Sequence, residues 1–291
     1  MKQKLISLKD FTPEELRKWQ LKLLDILVYF RDFCQENNLT FYIAWGTLLG
    51  AVRHKGFIPW DDDVDVQMPR KDYERLVEIW DQKADISKYK FERTDEKRCV
   101  KFPMGVVRSV DTTCIYDHSK DLDICQGLKL DVEFLDASPN EKWKQKRNRA
   151  LARILALLRT ERLPNRKSKF LRIMSRIVLA VFPTHYIRWQ VSKIIENVII
   201  KSGDYDDCEY YRYLGCALEA KSSFDETIYV DFEGFNMPAP VGYDQILSAA
   251  YGNYMKFPSE DQRKPTIDNL VFYDLDHSYL DYKGKYYCVS K

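Results

Sequence analysis

The first regular pattern along the chain is helical. Thr12-Pro13-Glu14-Glu15 sets a capping threonine, a proline at the first helical position and a glutamate three residues after the cap. Leu16, Leu23, Leu24, Leu27, Val28 and Phe30 then recur at helical spacing as far as Asn37-Asn38, which predicts a long amphipathic helix. A short apolar strand over 41–45 follows, and Gly46-Thr47 breaks it. Residues 48–53 read as a short helix, Gly56 and Pro59 mark a loop, 61–68 reads as an acidic strand, and Pro69 opens a helix running to Asp81. Strand-like runs at 90–93, 106–109, 112–116 and 128–134 predict a mixed sheet. Residues 141–201 hold almost no glycine and are interrupted near Pro164 and Pro183, which predicts three helices. Past Phe224 come a hairpin (228–231, a turn at Glu233-Gly234, then 235–237), Pro238 and Pro240, and a helix over 243–250. The fold class expected is α+β, a mixed sheet flanked by helices with an inserted helical segment. The division expected is 1–140 for an N-terminal helix and core, 141–203 for the insertion, and 204–291 for a part that completes the core.

Composition changes this picture in one place. The chain of 291 residues is 45% hydrophobic, ample for a core, and its charge nearly balances at +2. The balance is uneven, because 141–176 carries thirteen Lys or Arg against two acidic residues. A basic block in an otherwise acidic chain suits a phosphate-rich polymer, anionic lipid headgroups or nucleic acid, and also describes a solvated helix face. The seven cysteines show no C-x-x-C pair and no zinc-type spacing, as expected of reduced core residues in a cytoplasmic protein. The opening MKQKLISLKDF lacks an apolar h-region, so no signal peptide is expected. The longest purely apolar stretch, 177–182, falls far short of the roughly 20 residues that span a bilayer.

The chemistry concentrates in Trp60-Asp61-Asp62-Asp63-Val64-Asp65. In a strand, Asp61, Asp63 and Asp65 would share one face while Asp62 points away, which makes Asp62 the aspartate whose loss should be tolerated best. Like charges on one face repel unless a cation neutralises them, and hard carboxylates without His or Cys point to Mg²⁺, or Mn²⁺. Lys129, Asp131 and Glu133 alternate in a second strand, and Asp131 is the candidate for a further metal ligand or a base. Arg53, His54 and Lys55 in the intervening loop, and Arg108 with Ser109 at a strand end, are candidate phosphate contacts. Trp60 and Tyr42 are candidates to stack on a base, or to be core.

The segment YIAWGTLLGAVRHKGFIPWDDDVDVQMPRKDYERL resembles the signature region of the LicD family, phosphocholine transferases of bacterial surface glycans related to fukutin and fukutin-related protein. KFPMGVVRSVDTT, GLKLDVEFLDASP and FEGFNMPAPVGYDQILSAAYGNYMKFPSEDQR resemble its later strands and its C-terminal block, and the basic helical segment is left unmatched. Two departures stand out: Glu133, where the family usually has an apolar or aromatic residue, and the ending Arg263-Lys264-Pro265-Thr266. The resemblance implies a nucleotidyltransferase-like fold, with Gly46-Thr47 as the small-residue turn, Asp63-Val64-Asp65 as the metal strand and Asp131 as the third carboxylate. It implies a CDP-choline or other CDP-alcohol donor, a glycan acceptor that can be lipid-linked, and CMP as leaving group. Asp63, Asp65 and Asp131 would be catalytic, with Asp61 joining them as metal ligands. Gly46, Thr47, Arg53, His54, Lys55 and Arg108 would serve the donor's phosphates. Peripheral contact with the anionic inner face of the cytoplasmic membrane through 141–176 is expected, and nucleic acid is not. The alternatives are transfer of an NMP to a small acceptor, or a non-catalytic module that docks on an anionic polymer or membrane.

Overall fold

The computed structural model describes residues 5–163, 169–212 and 218–289. In chain order its helices are α1 (Pro13–Glu36), α2 (Trp45–His54), α3 (Arg70–Lys83), α4 (Lys142–Thr160), α5 (Lys169–Val181), α6 (His185–Ile200) and α7 (Tyr243–Tyr251). Its strands are β1 (Tyr42–Ile43), β2 (Asp65–Pro69), β3 (Tyr89–Glu92), β4 (Gly105–Ser109), β5 (Thr113–Tyr116), β6 (Lys129–Ala137), β7 (Tyr210–Arg212), β8 (Leu218–Ala220), β9 (Thr227–Phe232), β10 (Phe235–Pro240) and β11 (Leu270–Asp274). The α+β class is as expected. The chain groups into two compact units, one of Met1–Glu92, Val106–Glu133 and Ser223–Lys291, the other of Arg93–Gly105 and Phe134–Ser222.

In the first unit the strand order is β1-β2-β6-β4-β3, with β6 at the centre. Pairs β1/β2 and β3/β4 are antiparallel. The capping box of α1 forms as its sequence predicts: Glu15 N–H donates to Thr12 Oγ1 and Thr12 N–H to the Glu15 carboxylate. The helix buries Leu16, Trp19, Leu23, Leu27 and Phe30, each contributing roughly 1.5–3 kcal/mol of apolar transfer. Strands β9 and β10 make the expected hairpin, and Glu233 and Gly234 both take positive φ (56° and 82°), as a two-residue hairpin turn requires. Strand β10 continues through Pro238 and Pro240, which is tolerable because this sheet has only two strands.

In the second unit the end of β6 pairs with β7, and β7 with β8. Helices α4 and α6 pack through Ala152, Leu155 and Ile199, reinforced by a buried Arg159–Glu196 pair at 2.7 Å. Pro183 separates α5 from α6 as expected, while Pro164 lies outside the described residues. This unit is wider than the segment 141–203. It takes in β7 and β8 through their pairing to β6, and it takes in 93–105, where His185 Nε2 donates to the Asp95 carbonyl at 2.7 Å.

Two local expectations are corrected. Gly46-Thr47 is not a break ahead of a helix but part of the first turn of α2, and the acidic strand begins only at Asp65, leaving 61–64 as loop. Side chains serve most of the loop's backbone: Trp19 Nε1 donates to the Asp62 carbonyl at 2.9 Å and Gln20 Nε2 to the Ile58 and Asp61 carbonyls, while the Asp131 N–H of β6 donates to the Val64 carbonyl at 3.0 Å.

Candidate active site

The chain enters α2 under strain. Trp45 sits at φ +45°, a left-handed conformation that costs an aromatic residue on the order of 1–3 kcal/mol. Its indole N–H donates to the Glu133 carboxylate at 2.7 Å, and Gln67 Nε2 donates to the same oxygen at 3.2 Å. Glu133 is thus a buried acceptor that holds the sharp entry to the helix. Thr47, also buried, accepts the Asp65 N–H on its hydroxyl at 3.0 Å and fixes the start of β2. Gly46 is required by the next layer out, because a Cβ there would stand 2.7 Å from Asp61 Oδ2. The Gly-Thr pair is therefore a platform for the acidic loop.

On that platform the aspartates divide as alternation suggested, although in a loop. Oxygens of Asp61, Asp62 and Asp63 lie within 4.8 Å of one another, but Asp62 is turned inward and saturated. It accepts from the backbone N–H groups of Thr266 and Ile267 at 2.6 Å each and from the Thr266 hydroxyl at 3.0 Å. Asp62 is only 1% exposed, so the expectation that its loss is best tolerated fails on structural grounds. Burial raises the Asp61 carboxyl well above its ordinary range, and Asp63 and Asp62 raise it further. The side-chain contact between Asp61 and Asp63 raises the first further and lowers the second. Burial likewise raises Asp63 and Asp65, with Asp131 adding repulsion to both. The cation in this cluster is Lys129, ion-paired with Asp131. Burial pushes its ammonium toward neutrality, but Asp131, Asp63 and Asp65 together hold it above the usual lysine range. Lys129 and Asp131 keep side-chain exposures of 14% and 24%, so the cluster opens to solvent on one side.

Asp61 of this cluster also lines a cavity of about 690 Å³, together with Gly46, Arg53, Trp60, Tyr251, Phe257 and others. The volume falls within the range typical of small-molecule sites. Arg53 donates to the Tyr254 carbonyl at 2.7 Å and lies 4.9 Å from the centre of the Phe257 ring. Arg263 lies over Trp60 and Phe257 at 5.7 and 5.3 Å, so two guanidiniums share one aromatic wall. Burial and the nearby Arg263 charge push the Arg53 guanidinium down from its usual value. His54 Nε2 accepts from Arg53 Nε at 2.9 Å, and burial with that neighbouring charge lowers its imidazole, which keeps it neutral.

Other candidates fall elsewhere. Arg108 is wholly buried, donating to the Gly127 carbonyl at 2.7 Å and paired with Glu92 at 3.6 Å, so it presents no surface to a phosphate. A strand-end position suggested exposure, but β4 lies inside the sheet. Ser109 is buried in the same strand. Tyr42 is core, edge-on to Phe224. Lys55 caps α2 in the left-handed region and its exposed side chain adjoins no carboxylate of the cluster among the described contacts. Sequence reasoning did not assign Tyr251, which lines the same cavity as Asp61 and whose hydroxyl is raised by burial and then by the charges of Asp61, Asp65 and Asp63. It noted Arg263 to Thr266 only as a departure from the family and gave it no role, whereas Arg263 lies against the Trp60 and Phe257 rings and Thr266 anchors Asp62. In the second unit, Cys99, Glu161 and His185 also bring ligand atoms together, though His185 and Glu161 are already engaged with each other and with Asp95 and Arg188.

Known proteins share this sequence to different extents. The family model described as LicD/FKTN/FKRP, nucleotidyltransferase domain, matches residues 38–117. The lipopolysaccharide cholinephosphotransferase LicD of Haemophilus influenzae is 31% identical over 270 residues, covering 86% of this chain and 95% of that protein. An uncharacterized protein of Rickettsia prowazekii is 36% identical over 77 residues, 25% of this chain and 29% of its own length. Mannosyltransferase regulator 4 of Saccharomyces cerevisiae is 30% identical over 73 residues, 25% of this chain and 6% of its own.

Proposed function

Because the chain belongs to the LicD family, we propose that it transfers phosphocholine, or a related phospho-alcohol, from a CDP-alcohol to a hydroxyl of lipopolysaccharide, a teichoic acid precursor or another cell-surface glycan, releasing CMP. The observation that carries this reading is the cluster of Asp61, Asp63, Asp65 and Asp131 around Lys129, with Asp61 reaching a cavity lined also by Arg53 and Trp60. The Haemophilus relative, named for choline phosphate transfer, aligns over nearly its whole length, which supports choline among the candidate alcohols.

The donor set fits Mg²⁺, or Mn²⁺: hard oxygens that repel one another, with no imidazole or thiolate in the group. Asp61, Asp63, Asp65 and Asp131 would hold it, and when bound it supplies neutralisation of the donor's pyrophosphate charge. The protein's own groups do the rest. The first-turn N–H groups of α2 lack a capping side chain, since Ala44 offers none, and form an anion site for a donor phosphate. Arg53, with His54 held neutral beside it, orients the donor in the cavity, and Trp60 offers a face for the cytosine. The acceptor oxygen bonds to the phosphorus that carries the alcohol, the bond from that phosphorus to the CMP oxygen breaks, and CMP leaves with the electron pair. The acceptor proton passes to a carboxylate, for which Asp131, oriented by Lys129, is the candidate. Catalysis is positioning and charge neutralisation more than covalent chemistry.

The test is to incubate the purified protein and Mg²⁺ with CDP-choline, CDP-ethanolamine, CDP-ribitol and CDP-glycerol, with a glycan acceptor, and measure CMP. CMP formation with phospho-alcohol on the glycan is the expected result. Release of pyrophosphate from a nucleoside triphosphate, with NMP on the acceptor, would overturn it in favour of nucleotidyl transfer.

A further inference from the structure

Helix α5 is built to lie against something outside the protein. None of its thirteen residues is buried, although most are apolar. Phe170, Ile173, Met174, Ile177 and Val181 recur at the i, i+3, i+4, i+7 spacing of a single face. That face is turned outward, with exposures from 41% at Met174 to 68% at Phe170. Lys169, Arg172 and Arg176 flank it on one side. A helix this short is marginal in water without tertiary packing. The opposite face is partly covered at Ser175, Val178 and Leu179, and at the C-terminal end Arg188, from α6, donates to the carbonyls of Leu179, Phe182 and Pro183. The basic helix α4, by contrast, spends its inner face on α6.

We infer that the apolar stripe of α5 docks on the surface of an anionic lipid bilayer, with Lys169, Arg172 and Arg176 among the headgroups. The basis is charge complementarity: between Arg162 and Ile195 the sequence contains no acidic residue at all. An amphipathic helix with an apolar stripe and a purely cationic flank is the form that lies in the interfacial plane of such a membrane. It lies on the membrane without crossing it. Among the described residues no single helix is long and apolar enough to span, and α5 and α6, which together have the composition, are bent by 107° at Pro183. Helix α6 is also held within its unit by Ser192, Glu196 and Ile199. The sequence pointed to 141–176 as a whole, and the structure narrows that surface to α5. The inference stands independently of the phosphotransfer reading.

The experiment is co-sedimentation of the full chain with phosphatidylcholine vesicles, with and without phosphatidylglycerol. Binding is expected only with the anionic lipid, weakening as salt rises. Lys169→Ser/Arg172→Ser/Arg176→Ser should bind about 100-fold more weakly, from three cations near the surface. Ile173→Ser/Ile177→Ser should lose residual binding at high salt, with circular dichroism and melting temperature unchanged because the positions are exposed. Absence of binding by the wild type would overturn the inference. So would light scattering that shows an oligomer dispersed by Ile173→Ser/Ile177→Ser, which would make the stripe a contact between copies, or bound protein that resists alkaline extraction, which would make it an inserted hairpin.

Discussion

Asp61 and Asp62 are neighbours with opposite duties, and their substitutions should fail in different ways. The Asp62 carboxylate answers three donors from Thr266 and Ile267 in a buried position. Removing it in Asp62→Ala leaves those donors unsatisfied and should cost about 1–3 kcal/mol per buried group, read as a lowered melting temperature. Asp63→Asn and Asp65→Asn remove repulsion instead. They should keep or raise the melting temperature of the metal-free protein while CMP release drops by roughly 100-fold or more, the scale of losing a principal electrostatic group. Wild-type rates in either would sink their assignment as catalytic carboxylates. Gly46→Ala separates platform from chemistry, since its Cβ meets only the movable end of Asp61. The fold should survive with melting temperature nearly unchanged, and turnover should fall because Asp61 is pushed aside. A variant that unfolds would show that Gly46 serves the backbone rather than the carboxylate.

Much of the architecture was legible because local chemistry and tertiary context agree. The capping box of α1, the left-handed Glu233-Gly234 turn and the Pro183 break each carry their own signal in adjacent residues. The acidic run was legible as chemistry and misleading as structure. Asp61 to Asp65 alternate as a strand would, yet the carbonyls of Asp61 and Asp62 are held by Gln20 and Trp19, some forty residues upstream, and nothing local in the sequence announces a side-chain clamp. Arg108 failed for a related reason, because its partner Glu92 arrives from the neighbouring β3. Tyr251 and Arg263 were hidden by distance along the chain. The clamp is testable at the level of the element. Gln20→Leu keeps the buried volume but removes both donors to the loop carbonyls, so it should weaken Mg²⁺ binding and CMP release about tenfold, in the range for loss of a group that orients metal ligands. Titration of the variant with Mg²⁺ by calorimetry checks it, and unchanged affinity would mean that the sheet alone positions the loop.

For the whole molecule, the carboxylate cluster makes stability depend on pH and on cation in a defined sense. Asp63 is pushed up to about 6, chiefly by burial, against about 3.9 in an unfolded chain, and Asp61 and Asp65 are raised by the same burial and mutual repulsion. A carboxyl with a raised folded value binds its proton more tightly when folded. The metal-free protein should therefore gain stability as pH falls through about 6 toward 4, and lose it again as pH rises. Other titrating groups set the limit on the acid side, so the test is the difference between forms rather than the absolute curve. A divalent cation on the ionised carboxylates should reverse the trend, adding about 2.7 kcal/mol at a hundredfold excess over its dissociation constant. Because protons compete for the same oxygens, that gain should be large at pH 7.5 and shrink toward pH 5. Melting curves with Mg²⁺ or a chelator at the two pH values measure it directly. Equal stabilisation at both, or its persistence in Asp63→Asn/Asp65→Asn, would place the cation somewhere other than this cluster.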